Sequence, residues 1–245
     1  MGTQKLEEEF LSLFPGTKCL RMDMDTTKGK QGHEKILAAF RKKEAQVLIG
    51  TQMVAKGLDF PDVTFVGAVA CDQSLYMGDF RSAEYTFCQL TQVSGRAGRR
   101  EGEKGRVYIQ TYNPEHYAIK YVKEANYEEF YAHEIEIRRA MNYPPFSHVF
   151  SVLFTGISEK EVIRALQTLY AIMNYCNKQN KFELLGIAPA IVSKIKDKYR
   201  WKILVKSKLE DNLKAFVLYC IKKLKENDKL EGIQINLHLN PVMME

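Results

Sequence analysis

Across the first ~110 residues the apolar side chains keep changing period, from the three-to-four spacing of a helix to the short runs of a buried strand, and few folds accept that rhythm. Leu6, Phe10 and Leu13 mark a helix that Thr3 can cap and that Pro15-Gly16 ends, before a strand at Cys19-Leu20-Arg21-Met22. Ile36, Leu37 and Phe40 mark a second helix, followed by the strand Val47-Leu48-Ile49. Another strand is expected over 63–71, a helix over 82–93, and a closing strand over 106–110. Strands alternating with helices build parallel βαβ units, so residues 1–112 are expected to form an open α/β sheet.

The chain then changes character. Asn113-Pro114 starts one helix, and Asn126 with Glu129 three residues on caps another that lasts until Tyr143-Pro144-Pro145, which makes 113–145 a helical connector. Paired prolines mark a boundary. Beyond it come a strand at 148–154 and Ser158-x-x-Glu161, a capping box opening a helix with Val162, Leu166, Leu169, Met173 and Cys176 on one face. A second β half lies around Leu184-Leu185-Gly186 and 201–205. Ser207-x-x-Glu210 reads as a second capping box, before a stripe of Leu213, Phe216, Val217, Cys220 and Leu224 and a last strand at 233–239. The order βαββαβ predicts a small α+β, ferredoxin-like domain over 146–245, an arrangement that serves many functions.

Composition excludes several classes. With 45% hydrophobic and 27% charged residues and no apolar run of the roughly 20 residues that cross a bilayer, no membrane role is expected. Residues 1–9 lack the apolar core of a signal peptide, and the five cysteines are scattered and never in a Cys-x-x-Cys pair. A reducing cytoplasm fits, and neither a disulfide framework nor a metal site is expected. Asp23-x-Asp25 reads as a loop, His133, His148 and His238 as isolated residues, and 134–139 as a solvated connector. A net charge of +6 permits a polyanionic partner without demanding one.

Chemistry concentrates in Gln92-Val93-Ser94-Gly95-Arg96-Ala97-Gly98-Arg99-Arg100. Arg96 and Arg99, three apart among small residues, can place guanidinium groups on one side of a helix end where a phosphate approaches closely. Guanidinium stays charged and grips phosphate oxygens as a bidentate fork. A basic helix end followed by a glycine turn is the alternative. About forty residues upstream stands Ile49-Gly50-Thr51-Gln52-Met53-Val54-Ala55-Lys56-Gly57-Leu58-Asp59-Phe60-Pro61. It reads as a strand, a turn and a short helix that Thr51 can cap, whose N-terminal amides could hold a nucleic-acid phosphate; a plain βα turn is the alternative.

In this order and spacing the two segments resemble the fifth and sixth motifs of superfamily-two helicases, which lie in the second of two RecA-like lobes. Gln92, Gly95, Arg96, Gly98 and Arg99 fill the sixth motif, Gln-x-x-Gly-Arg-x-Gly-Arg. The resemblance implies that Arg96 and Arg99 reach the γ-phosphate of ATP held by the other lobe, with Gln92 beside it and Gly95 giving room for the approach. It implies that Thr51 and Gln52 contact the nucleic-acid strand, and that Gly57 and Asp59 couple that contact to the nucleotide.

The whole chain is similar to the primosomal N-prime family of bacterial replication-restart DNA helicases. The residues carrying the likeness are 2–9, Asp23-x-Asp25-Thr26-Thr27, Gly50-Thr51-Gln52-Met53-x-x-Lys56-Gly57, Asp79-Phe80-Arg81-Ser82-x-Glu84, Tyr143-Pro144-Pro145-Phe146 and Tyr199-Arg200-Trp201. Gly186-Ile187-Ala188-Pro189-Ala190 departs from the family's Gly-Pro-x-Pro-Ala, and Ser94 stands where alanine is usual. The family implies a RecA-like lobe, three-prime to five-prime unwinding, ATP and Mg2+ in the intact protein, and zinc in an insertion upstream of this chain. It also implies single-stranded and forked DNA, the single-stranded-DNA-binding protein and primosome proteins as partners, and a nucleoid-associated place in the cytoplasm. No Gly-x-x-x-x-Gly-Lys-[Ser/Thr] loop occurs, so the chain by itself is expected to lack ATPase activity and to bind no cofactor. A noncatalytic DNA-binding and protein-docking module, or the second lobe of another helicase of the superfamily, such as one acting on RNA, are the alternatives.

Lys194, Lys196, Lys198, Arg200 and Lys202 alternate with Tyr199 and Trp201 between them. In a strand the basic groups share a face and, with the aromatic rings, suit phosphate contact with base stacking. A tight turn near Asp197-Lys198 would swap faces midway, and solvated lysines outside with core aromatics inside would give the same alternation. Lys206 and Lys208 are candidates for docking the acidic tail of the single-stranded-DNA-binding protein, an interaction the family implies.

Overall fold

A computed structural model of the chain describes residues 2–23, 25–27, 32–51, 60–97, 105–227 and 230–242. They form two compact units, one of residues 1–75 and 83–127, the other of 76–82 and 128–245. These divisions differ from cuts at 112 and 145: the helix α5 (Tyr117–Glu124) falls in the first unit, and most of α6 (Tyr127–Ala140) in the second.

The first unit is mixed α/β with parallel strands. Helix α1 (Thr3–Leu13) leads to β1 (Cys19–Met22), and α2 (Gly32–Arg41) to β2 (Val47–Gly50). β1 and β2 run parallel, with Cys19 opposite Val47 and Met22 opposite Gly50. The strand expected over 63–71 is shorter, β3 (Phe65–Ala68), because Ala70 takes the left-handed φ of 57° and turns the chain into α3 (Asp72–Leu75). After α4 (Ser82–Ser94), β4 (Arg106–Ile109) pairs in parallel with β3. Where one open sheet was expected, the described residues form two parallel pairs. Met22, Leu37 and Phe60 make a small core lined by Ile36, Phe40, Leu48 and Val63.

Thr3 does not cap α1. Gly2 holds the N-cap position in extended backbone, and the Thr3 hydroxyl instead donates to Asp23 Oδ2 at 2.6 Å. Asp23 also accepts from the amides of Asp25 and Thr26 at 3.0 and 2.9 Å and pairs with Arg21. These partners, the Thr3 hydroxyl foremost, hold its carboxyl down at about 2.

The second unit is built on a four-stranded antiparallel sheet ordered β6-β7-β5-β8. Its chain order is β5 (His148–Gly156), α7 (Glu159–Cys176), β6 (Glu183–Ile195), β7 (Lys198–Ser207), α8 (Glu210–Asn227) and β8 (Gln234–Leu239). Phe150, Val152 and Phe154 of β5 and Ile203 and Val205 of β7 point to one face. There they meet Val162, Leu166, Leu169 and Met173 of α7 and Leu213, Val217 and Leu224 of α8. Ser158 caps α7, accepting from the Glu161 amide at 3.4 Å. The second expected capping box does not form, because α8 starts only at Glu210, so the Ser207 hydroxyl accepts from the Leu209 amide and closes a turn ahead of the helix. At Gly156 a Cβ would lie 2.8 Å from Val162 Cγ2, so α7 seats against the strand end only because that residue is glycine. The outer strand β6 shifts register between Leu184 and Ile187 and again between Pro189 and Lys194.

Candidate functional site

Helix α4 carries Gln92 near its C-terminal end, and Gly95 and Arg96 follow in the turn that closes it. Gln92 is exposed on its last turns, and the helix closes with the Gly95 amide donating to Thr91 O at 3.0 Å and the Arg96 amide to Val93 O at 3.0 Å. Arg96 is half-buried at the end of a helix whose unsatisfied carbonyls favour a cation. A Cβ at Gly95 would meet only Thr91 O at 3.5 Å and Gln92 O at 3.7 Å, ordinary contacts, so the helix itself does not demand glycine there. Thr51 is exposed directly after β2. Gln52, Gly57, Asp59 and Arg99 lie outside the described residues.

The basic stretch of the second unit does not form one face. β6 and β7 join through a two-residue turn in which Lys196 and Asp197 take left-handed φ values of 46° and 61°. Lys194 is paired with Tyr199 and Ile195 with Lys198, so Lys194 shares the Tyr199 side of the sheet while Lys198, Arg200 and Lys202 take the other. The turn thus swaps faces midway. Arg200 and Lys202 are buried at 8% and 5% exposure, Arg200 donating to Val192 O at 3.1 Å. Burial pulls the Lys202 ammonium below its ordinary pKa, against the attraction of Asp79. Trp201 packs on the helix-side core and its indole N–H donates to Glu159 Oε1 at 3.1 Å. Lys194, Lys196 and Lys198 remain exposed at the hairpin tip.

Lys206 and Lys208 both line a cavity of about 450 Å³ with Lys181, Phe182, Asn212 and Glu183. Lys206, however, is 3% exposed, donates to Met141 O at 2.7 Å and pairs with Glu183 at 2.9 Å. It ties the sheet to the turn after α6.

One cluster escaped the reading of residue types, although its sequence segments were noticed. The Phe80 ring stacks on Tyr143 at 4.6 Å and 8°. The Arg81 guanidinium lies 4.2 Å and that of Arg138 5.0 Å from the Phe80 centroid, while Lys206 Nζ sits 4.4 Å from that of Tyr143. Arg138 is itself held by buried Glu134 at 2.8 Å. The signal available in sequence was the pair of aromatic residues flanked by cations, Phe80-Arg81 and Tyr143, more than sixty positions apart.

Comparison with known proteins accounts for both units. Residues 2–101 match the helicase conserved C-terminal domain, and residues 139–242 match the primosomal protein N C-terminal domain. The replication restart protein PriA of Bacillus subtilis is 43% identical over 99% of this chain and 30% of its own length. That of Synechocystis is 44% identical over 84% of this chain and 24% of its length, and that of Rickettsia felis 35% identical over 91% and 34%. The chain therefore spans about a third or less of the length of these relatives. Matching both domain models and aligning with these relatives over most of its own length, the chain belongs to the replication restart protein PriA family.

Proposed function

We propose that the chain is the second motor lobe and C-terminal DNA-contacting domain of an ATP-dependent replication-restart helicase, with the arginine-bearing end of α4 completing an ATP site held by another lobe. The observation that carries this is that exposed Gln92 lies on the last turns of α4 and half-buried Arg96 in the turn that closes it. ATP and Mg2+ would be bound chiefly outside this chain. Among the described residues Arg96 offers a guanidinium suited to phosphate. Arg96 and Arg99 would stabilise charge on the transferring phosphoryl group, and Gln92 would orient the attacking water. Thr51 and Gln52 would hold the DNA backbone, with Gly57 and Asp59 relaying that contact.

The first unit is read as a RecA-like lobe, and the β6-β7-β5-β8 order of the second as a ferredoxin-like sandwich. Its DNA contact is assigned to Lys194, Lys196 and Lys198 at the hairpin tip, with Arg200 and Trp201 supporting the hairpin from within. No helix among the described residues is long and apolar enough to cross a membrane, and the intact protein is read as cytoplasmic. Lys208, beside Lys181 in the cavity, is the candidate contact for an acidic protein tail.

The test is Arg96→Ala in the intact helicase. ATP turnover at saturating DNA should fall by roughly 10³ or more, DNA affinity should hold, and Arg96→Lys should restore little because ammonium lacks the bidentate fork. Normal turnover in Arg96→Ala removes the residue from the role.

A further inference from the structure

The sheet of the second unit has two edges of different character. β6 loses register twice, whereas β8 pairs with β5 without a break from Gln234, opposite Thr155, to Leu239, opposite Phe150. Its sequence, Gln234-Ile235-Asn236-Leu237-His238-Leu239, holds no proline, lysine, arginine or carboxylate, the residues that ordinarily spoil an edge for further pairing. Among the described residues β5 is its one strand neighbour.

The bonds to β5 decide which residues of β8 face the open side. Just past the strand the Asn240 amide donates to Val149 O at 2.7 Å, and the register puts these two residues opposite each other. Bonded and non-bonded pairs alternate along an antiparallel ladder, so Gln234, Asn236 and His238 direct their backbone groups to β5. Ile235, Leu237 and Leu239 turn theirs outward. The side chains of these three pack on the helix-side core and are half-buried, while Gln234, Asn236 and His238 lie on the other face.

A second β8 fits this pattern. Laid antiparallel with a two-fold axis through Leu237, it brings outward groups to outward groups: Leu237 meets its counterpart, and Ile235 meets Leu239 of the second copy at either end. A centre at Asn236 or His238 leaves two such pairs instead of three. The axis stands perpendicular to the sheet and keeps each face on its own side, so the apolar row of one copy continues into that of the other and covers what is still exposed of Ile235, Leu237 and Leu239. One patch meets itself, which closes the contact at two copies.

We propose that β8 is a self-association edge, at which two copies of this chain pair antiparallel about Leu237 and join their sheets. The test follows the 245-residue chain by sedimentation equilibrium over a concentration series. The register sets Asn236 opposite His238 of the second copy. Asn236→Lys with His238→Lys therefore opposes lysine to lysine, and Asn236→Glu with His238→Lys opposes carboxylate to lysine. Like charges directly opposite destabilise a strand pair and opposite charges support it. The parent should dimerise, the first double variant should associate roughly tenfold more weakly, and the second should return to parent strength or better. Both variants should melt with the parent at a dilution where all three are monomeric. A parent that stays monomeric up to about 100 μM overturns the proposal. Parent-like dimerisation of the first variant also overturns it, because the edge then lies outside the contact, and so does equal weakening of both variants, because the strands then do not pair about Leu237.

Discussion

The two units enclose their apolar residues to different degrees. In the C-terminal unit Val152, Phe154, Val162, Leu166, Leu169, Met173, Ile203, Val205, Leu213, Val217 and Leu224 are all at 0% exposure. Among the described residues of the first unit, Met22 and Ala118 reach that level, while Leu37, Ile49, Phe60, Leu75 and Leu90 keep 5–8% and α1 buries nothing. The difference bears on local opening: a unit with few fully enclosed side chains opens in parts at a lower free energy than one whose core is densely packed, and the described residues of α4 from 83 onward belong to the thinly packed unit.

The strongest test of that contrast is a pair of core truncations. Phe154→Ala should cost about 3–5 kcal/mol, and Phe60→Ala, at the edge of a smaller core, should fall at or below the bottom of that range. Trp201 is the single tryptophan, so its fluorescence reports the C-terminal unit alone. In urea the far-UV circular dichroism should begin to fall at lower concentration than the fluorescence changes. Coincident curves would erase the distinction.

A smaller effect sharpens the role of that tryptophan. Trp201→Phe keeps most of the packing and removes the hydrogen bond to Glu159, a change of roughly 1 kcal/mol, and DNA affinity should hold. The double change Lys196→Glu, Lys198→Glu should leave stability nearly untouched while weakening DNA binding and flattening its salt dependence, by about 0.7 in log-log slope for each phosphate no longer neutralised. Weakened binding in Trp201→Phe with parent stability would return the ring to the DNA surface.

The smallest effect is confined to acid pH and to the first unit. Asp23 has a folded pKa near 2 against an ordinary 3.8, so its contribution to stability is complete above about pH 4 and is lost as pH falls toward 2. Melting of the first unit should therefore decline across that window in the parent and decline less in Asp23→Asn. Equal slopes would show that its hydrogen bonds are kept in the unfolded chain.

Much of the fold could be read from residue spacing, because amphipathic stripes state directly which side of an element is buried. The stripe Val162, Leu166, Leu169 and Met173 and the cap at Ser158 fall where the pattern puts them. The helix expected over 82–93 likewise forms, as α4, with Gln92 on its last turns and Arg96 in the turn that closes it. Arg200 and Lys202 were not legible. A basic residue alternating with aromatic ones looks the same whether its face is open or covered, and the groups that bear on this face, Asp79, Met141 and Tyr143, come from distant segments. Nor could Thr3 be assigned by type alone: a hydroxyl at a helix start can cap its own helix or bond elsewhere, and Asp23 decided it.

The irregular course of β6 has a consequence for the molecule in company. An outermost strand with a regular row of free amides and carbonyls invites any extended chain to add itself to the sheet. Here Pro189 supplies no amide, Gly186 turns through a φ of 81°, and two register shifts break the row into short pieces. The most tightly packed part of the protein therefore ends, on that side, in an edge that a neighbouring copy cannot copy onto, which favours its remaining unaggregated when crowded.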